Sequence, residues 1–475
     1  MARQAAVGDR IPDQERQAAR GEAVVSGFAF RHWVRAALAS AVTAAVFTTA
    51  VPPALALKIE VIKSPGGIEA WLVREPSVPL VAIDFAFRGG TSQDPVDKPG
   101  VANMVSALLD EGAGKYDSRA FHQALDERAV EFRFTAGRDH FRGSLRVLKE
   151  HRGEAFELLR LMLAEPRFDP AAVERIRRQI HSELLRETSQ PGDIAARAWW
   201  SKAFPEHPYG RPVKGTLDSV PRITIDDLKA YRQRAFAREG LKVALIGDIT
   251  PESAGQLLDS VFGSLAAKGQ LEPVADARPQ ELGSRFVLDV DVPQASVVFG
   301  GAGIRRNDPD FIAAYINNHI LGGGSFSSRL YDQVRETRGL AYSVHESMVW
   351  LSHTALVIGG TATSADRTAE ALAIIEREIT RMREEGPTAE ELAKAKSFLK
   401  GSYALNFDTS AKIISQLVQI QIDRLGVDYV ERRGKLIDAV TLDDAKRVAR
   451  RMFDGGLLVT VAGRPHKLTS KAPGG

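Results

Sequence analysis

Two stretches of this chain are versions of one another. "VPLVAIDFAFRGG" begins at Val78 and "VPQASVVFGGAGI" begins at Val292, 214 residues later. Each is followed by an Asp-Pro pair, Asp94-Pro95 and Asp308-Pro309, at the same offset. Further on, "SRAFHQALDERAVEF" from Ser118 matches "SRLYDQVRETRGLAY" from Ser328 at an offset of 210. A four-residue change in an intervening loop accounts for the difference. Internal repetition limits the fold more than any local propensity does, because two copies of one unit of about 200 residues must give two similar lobes.

Within the first copy, 67–74 and 78–88 are rich in β-branched and aromatic residues and predict strands. Helices are expected over 99–111 and 118–128, and "VEFRFTAGRDHFRGSLRVL" predicts a strand pair turning at Gly137. Charged amphipathic stretches predict helices over 149–164, 170–189 and 225–237, and "GLKVALIGD" reads as a buried strand. The second copy repeats this with strands near 285–303, 340–350 and 353–363, then helices over 365–386 and 388–406. "AAKGQLEPVADARPQELGS" is rich in Pro, Gly and Ala and reads as a linker. Clustered strands followed by runs of helices predict an α+β fold of two homologous lobes. The expected boundaries are an N-terminal extension with signal peptide at 1–56, a first lobe at 57–265, a linker at 266–284 and a second lobe at 285–467.

Charge and composition exclude several classes of function. The 63 basic and 60 acidic residues leave a net charge of only +3, and no basic patch is interleaved with aromatics, so no nucleic-acid partner is expected. The absence of cysteine removes disulfides, thiolate zinc sites and cysteine nucleophiles together. In "FRHWVRAALASAVTAAVFTTAVPPALALKIEV", Arg31, His32 and Arg35 flank an uncharged run from Ala36 to Val51, and "ALA" at 54–56 supplies small residues for cleavage. That run is shorter than the ~20 apolar residues a spanning helix needs. It therefore predicts an exported, periplasmic protein that starts near Leu57 and keeps no stable membrane anchor, with 1–27 as an unusually long polar leader.

Four strings carry a family resemblance: "PGVANMVSALLDEG", "FPEHPYGRPVKGTLDSVPRITIDDLKAYRQRAF", "GLKVALIGDITPE" and "LGGGSFSSRLYDQVRETRGLAYSV". With the repeat they resemble the insulinase/pitrilysin family of zinc peptidases, the inverzincins, over essentially all of 57–465. The resemblance implies lobes that are each a mainly antiparallel sheet covered by helices, as in processing peptidase. It also implies a short, two-domain member that pairs with a second subunit. Active members carry H-x-x-E-H on the first helix, where two histidines bind zinc and the glutamate activates the metal-bound water. Here the histidine positions hold Asn103 and Ala107 and the glutamate position holds Ser106, a degenerate zinc site. None of the three can serve in those roles.

No two of the ten histidines lie three or four residues apart, so no helix presents a paired ligand face. Glu183 falls where the family's third ligand would sit, but alone it is one carboxylate and reads as an ordinary helix-surface residue. His207, between flanking prolines, reads as turn structure. "LGGGSFSSRL" lacks the lysine and spacing of a phosphate loop.

The second lobe keeps what the resemblance asks of it. Family members place an arginine and a tyrosine, seven residues apart, against substrate carbonyls and the tetrahedral intermediate. Arg335 and Tyr342 meet that spacing. By the offset of 210 the first lobe has Leu125 and Phe132 there, so the pair is no general need of the repeat. The resemblance thus implies a chain with no cofactor of its own, whose homologous partner subunit would carry the zinc and whose substrate would be a peptide. The alternative is a non-enzymatic peptide-binding or scaffold subunit of the same descent.

Overall fold

The computed structural model describes residues 57–473. The segment read as a signal peptide and the long leader before it lie outside the described residues. Among the described residues, no helix is long and apolar enough to cross a membrane.

The first sheet uses β1 (Ile59–Lys63), β2 (Glu69–Arg74) and β3 (Leu80–Arg88). After a small ribbon of β4 (Gly112–Ala113) and β5 (Tyr116–Asp117) it adds β6 (Glu131–Ala136), β7 (His140–Leu148) and β8 (Lys242–Gly247). The strand order is β1-β2-β8-β3-β7-β6. Only the β2–β8 pairing is parallel. The second sheet uses β9 (Arg285–Leu288), β10 (Gln294–Ala302), β11 (Val344–Trp350), β12 (Ala355–Ser364) and β13 (Leu458–Ala462), in the order β11-β12-β10-β13-β9. Its one parallel pairing is β13 with β9. β10 begins 214 residues after β3, the offset of the sequence repeat. The fold is α+β with two homologous lobes, each a mainly antiparallel sheet covered by helices. The stretch 267–282 contains no helix or strand.

Burial along the strands explains their composition. β3, β8 and β13 are buried on nearly every residue and read as runs that are apolar but for Asp84 and Thr460, "LVAIDFAF", "VALIG" and "LVTVA". Edge strands β6 and β11 begin instead with alternating exposure, one face toward solvent. Central strands so fully buried need cover on both faces.

That cover is exchanged between the lobes. The helix Pro191–Ala203 of the first half packs on β13 and β10 of the second sheet, and the helix Ser410–Ile422 of the second half packs on β8 and β3 of the first. Each is fastened to the opposite lobe's last strand. Trp199 Nε1 donates to the Leu458 carbonyl at 3.0 Å, and Gln421 Nε2 donates to the Val243 carbonyl at 2.9 Å. Trp199, Phe204 and Tyr209 share one apolar cluster with Leu356 and Leu458. Residues from Lys58 onward accordingly form a single compact unit.

Candidate functional site

The helix aligned with the family's metal-binding motif is short. It spans Val101–Ser106 and packs beside edge strand β6 and the helix Ile225–Ala235. Its start is tightly specified. The buried Asp94 carboxylate accepts from the Gly100 amide at 2.7 Å and the Ala102 amide at 2.9 Å. Gly100 itself sits at φ +104°, and a Cβ there would come within 2.8 Å of the Lys214 carbonyl oxygen, so only glycine fits. Burial raises the Asp94 pKa to about 7, against the pull of these two amides and of Arg211 and Arg234.

The end of the helix departs from the expected 99–111. Ser106 Oγ donates back to the Asn103 carbonyl at 2.7 Å. The Ala107 amide still reaches the same carbonyl at 3.2 Å, but the Leu108 amide closes on residue i−3, the Val105 carbonyl, at 3.0 Å, and 107–110 become turns. A hydroxyl bonded back onto its own helix favours such an exit.

Asn103, Ser106 and Ala107 share one half-buried face, while Val101, Ala102, Met104 and Val105 are buried in the core. That face presents an amide, a hydroxyl and a methyl group, with no histidine or carboxylate. Glu183 is half-buried on the helix Pro170–Glu187, with the Gln179 side-chain amide 3.5 Å from its Oε1. Glu187, one turn on, holds Lys214 at 2.7 Å and Arg197 at 3.3 Å. Among the described residues no three His, Asp or Glu side chains are placed to hold a metal ion. The residues present do not fit the family's zinc. His207 is used in a turn, its Nδ1 accepting from the Tyr209 amide at 3.2 Å and its Nε2 lying 2.9 Å from the Ala275 carbonyl.

In the second lobe the arginine and tyrosine come together. Arg335 lies in a π-helical turn, Asp332–Glu336, and Tyr342 lies in the loop just before β11. The Arg335 guanidinium stands 4.6 Å from the Tyr342 ring centre and 5.0 Å from that of Tyr331, stacked between two aromatic faces. Tyr342 is 82% exposed, so the pair is presented to solvent rather than folded into the core.

The connecting loop is pinned by bonds the sequence reading did not anticipate. Gly339 donates to the Arg335 carbonyl at 2.8 Å, and Leu340 donates to the Val334 carbonyl at 2.9 Å. Thr363 Oγ1 donates to the Leu340 carbonyl at 2.5 Å, and Arg367 Nη1 donates to that of Gly339 at 3.0 Å. A second π-helical turn, His319–Gly323, begins the glycine-rich segment. π-Turns recur at functional positions because they re-aim side chains without ending a helix. Gly322 is required there, since a Cβ would approach the Glu346 amide nitrogen to 2.8 Å. Phe326 follows on the same loop, 77% exposed and edge-on to Tyr331 at 5.0 Å. Phe326 extends the exposed aromatic surface beyond the pair that sequence reasoning found, while Tyr331 is buried beneath it. An aromatic at each of two positions around one arginine was the available signal. At the corresponding places in the first lobe, Leu125 is buried and Phe132 packs on Phe134 at 5.9 Å.

Two family models match the chain in succession. Residues 70–217 match the family model described as Insulinase (Peptidase family M16), and 222–399 match that described as Peptidase M16 inactive domain. The chain is 29% identical over 334 residues to the non-peptidase homolog YmxG of Helicobacter pylori, covering 70% of this chain and 77% of that protein. An uncharacterized zinc protease of Mycobacterium tuberculosis is 26% identical over 418 residues, 87% of this chain and 95% of the other. Among solved structures, a peptidase M16 inactive domain from Pseudomonas fluorescens superposes with a TM-score of 0.81 at 27% identity. That match covers 87% of this chain and all of the other.

Proposed function

The chain belongs to the insulinase-type M16 peptidase family, and from that premise we propose that it is the non-zinc subunit of a two-chain metallopeptidase. A homologous partner would carry H-x-x-E-H and its zinc. This chain would contribute peptide binding together with Arg335 and Tyr342. The observation that carries the reading is the contrast between a metal helix stripped of every donor and an arginine–tyrosine pair held together, exposed, on a pinned loop. An oxyanion developing on a substrate carbonyl is stabilised by donors placed beforehand, and a cation beside a phenol supplies two kinds. The unpaired edge of β6, beside the metal-position helix, offers main-chain donors and acceptors to an extended peptide. We place the mature protein in the periplasm, on the basic flank and the short apolar run before Leu57.

The test mixes the purified chain with a zinc-bearing homologous subunit and measures peptide turnover, with sizing to confirm assembly. At about 3 kcal/mol per lost donor, Tyr342→Phe lowers turnover roughly a hundredfold and Arg335→Ala at least as much. The chain alone is expected to retain no stoichiometric zinc and to hydrolyse nothing. Near-normal turnover by both assembled variants would leave the scaffold reading in place. One tightly held zinc per isolated chain, with chelator-sensitive cleavage, would remove the two-chain reading altogether.

A further inference from the structure

The seam between the lobes carries more positive charge than the fold itself uses. Two adjoining cavities open there, of about 590 and 510 Å³, and they share Asp139, His140, Ser352, Ile422 and Arg424 in their walls. They lie where the tips of the two edge hairpins meet. Asp139 accepts from the Tyr209 hydroxyl at 2.5 Å and from the Ser352 amide at 2.7 Å, which binds the β6–β7 turn to the β11–β12 turn.

Several cations on these walls are already matched. Arg142 lies 3.3 Å from Asp84, Arg305 lies 2.9 Å from Asp276, and Arg306 lies 3.5 Å from Asp423. Four others are not. Arg88, Lys242, Arg424 and Arg138 line the cavities and form no ion pair among the described residues. The Arg138 guanidinium is held flat against Trp200 at 3.5 Å, and its Nε donates to the Tyr209 carbonyl at 3.2 Å. The acids on the same walls offset these charges only in part. Asp423 is paired with Arg306, Asp139 keeps its negative charge while accepting from the hydroxyl and amide just named, and Glu272 stands exposed at the rim, so the four cations outnumber the two remaining acids. Burial lowers the His140 pKa to about 4; Asp139 beside it pulls the other way, and Arg142, Arg88 and Lys242 each push it down.

Unmatched cations around a walled cleft concentrate anions, since the low-dielectric walls focus the field. The position of the cleft narrows the choice of anion. It begins at Thr135 and Ala136, the last residues of open edge strand β6. A peptide extended along β6 would deliver its next residues, or its end, into the seam. We propose that the seam is a carboxylate site, which selects peptides carrying acidic side chains or a free C-terminus just beyond the segment paired with β6. The proposal rests on the peptide-binding reading above and specifies the substrate class for it.

Fluorescence anisotropy on the purified chain, with three labelled peptides of one length, tests it. One bears glutamates and an amidated C-terminus, one has glutamines and a free C-terminus, and one has glutamines and an amide. The expected result is that one or both carboxylate peptides bind about tenfold tighter than the neutral one, an advantage that shrinks as salt shortens the screening length. Whichever carboxylate peptide carries the advantage identifies the source. The Lys242→Gln/Arg424→Gln double variant should reduce that advantage to about threefold or less, and Arg88→Gln, at an exposed position, provides a second variant if the first folds poorly. Equal binding of all three peptides overturns the seam assignment and leaves peptide binding standing. No binding of any peptide overturns both. A full advantage persisting in folded variants also overturns the assignment, as does binding of inorganic phosphate alone with no peptide preference.

Discussion

The two lobes began as one design and now differ at equivalent places. In the first, the helix after the Asp-Pro turn has its cap, its glycine and its packing, and its half-buried face carries Asn103, Ser106 and Ala107 with no histidine or carboxylate. In the second, Arg335 and Tyr342 face solvent, where the first lobe turns Leu125 and Phe132 toward packing. One fold can therefore present quite different side chains at equivalent places in its two copies. What survives at each site is what packing demands, plus whatever function still demands.

The contrast is sharpest at the exchange helices, where the largest effect is expected. Trp199 is fully buried and anchors its helix to the second sheet, while Gln421 does the corresponding work on the first with a single polar bond. Trp199→Ala should cost roughly 4 kcal/mol, from a large cavity and an orphaned Leu458 carbonyl. Gln421→Ala should cost about 2 kcal/mol. Urea titration of both variants decides it, and equal losses would mean that the two halves are fastened alike.

A second test uses the repeated Asp-Pro. Asp94 is buried and its pKa is raised to about 7, whereas Arg451 beside Asp308 holds that carboxyl below its usual range. The signs are opposite. Stability linked to Asp94 is fully present below the unfolded pKa near 3.8 and is lost as pH rises through about 7. Stability linked to Asp308 is present above 3.8 and is lost as pH falls through its lower folded value. Asp94→Asn should lose the helix cap partly at every pH. Between pH 4 and 7 its stability relative to wild type should then rise, by on the order of 3 kcal/mol. Thermal melts across that range measure the rise, and a flat difference would place the proton elsewhere. Asp308→Asn should cost under about 1 kcal/mol, only above pH ~4, because its ion pairs lie at the surface. That is the smallest effect of the set.

Much of this architecture was legible because a repeat is a long-range signal written locally. The offset of 214 reappears between β3 and β10 without adjustment. That Asn103, Ser106 and Ala107 offer no histidine or carboxylate was equally plain. The length of that helix was not, since its exit depends on one hydroxyl turning back to the Asn103 carbonyl. Nor were the exchange helices. "SAKIISQLVQIQI" is rich in isoleucine and carries no mark that it will lie on the other lobe, although Ala195, Trp199 and Ala203 at four-residue spacing do mark a helical stripe. The seam was invisible for a different reason. Its cations come from β3, the β6–β7 turn, β8 and the end of a second-lobe helix, and nothing local joins them.

The exchange also sets a timetable. As the chain is synthesised, the first sheet is finished when β8 slides between β2 and β3, yet one of its faces stays bare until residues 410–422 exist. The second sheet waits longer still, because β13 at 458–462 must enter between β10 and β9 before Trp199 has a bed to lie on. Contacts closed over such spans form late and leave apolar surface uncovered meanwhile. A product that stops short of β13 would lack an interior strand of one sheet and leave an unfastened helix in the other half. Burial of apolar surface laid down near residue 199 thus waits on residues made 259 positions later.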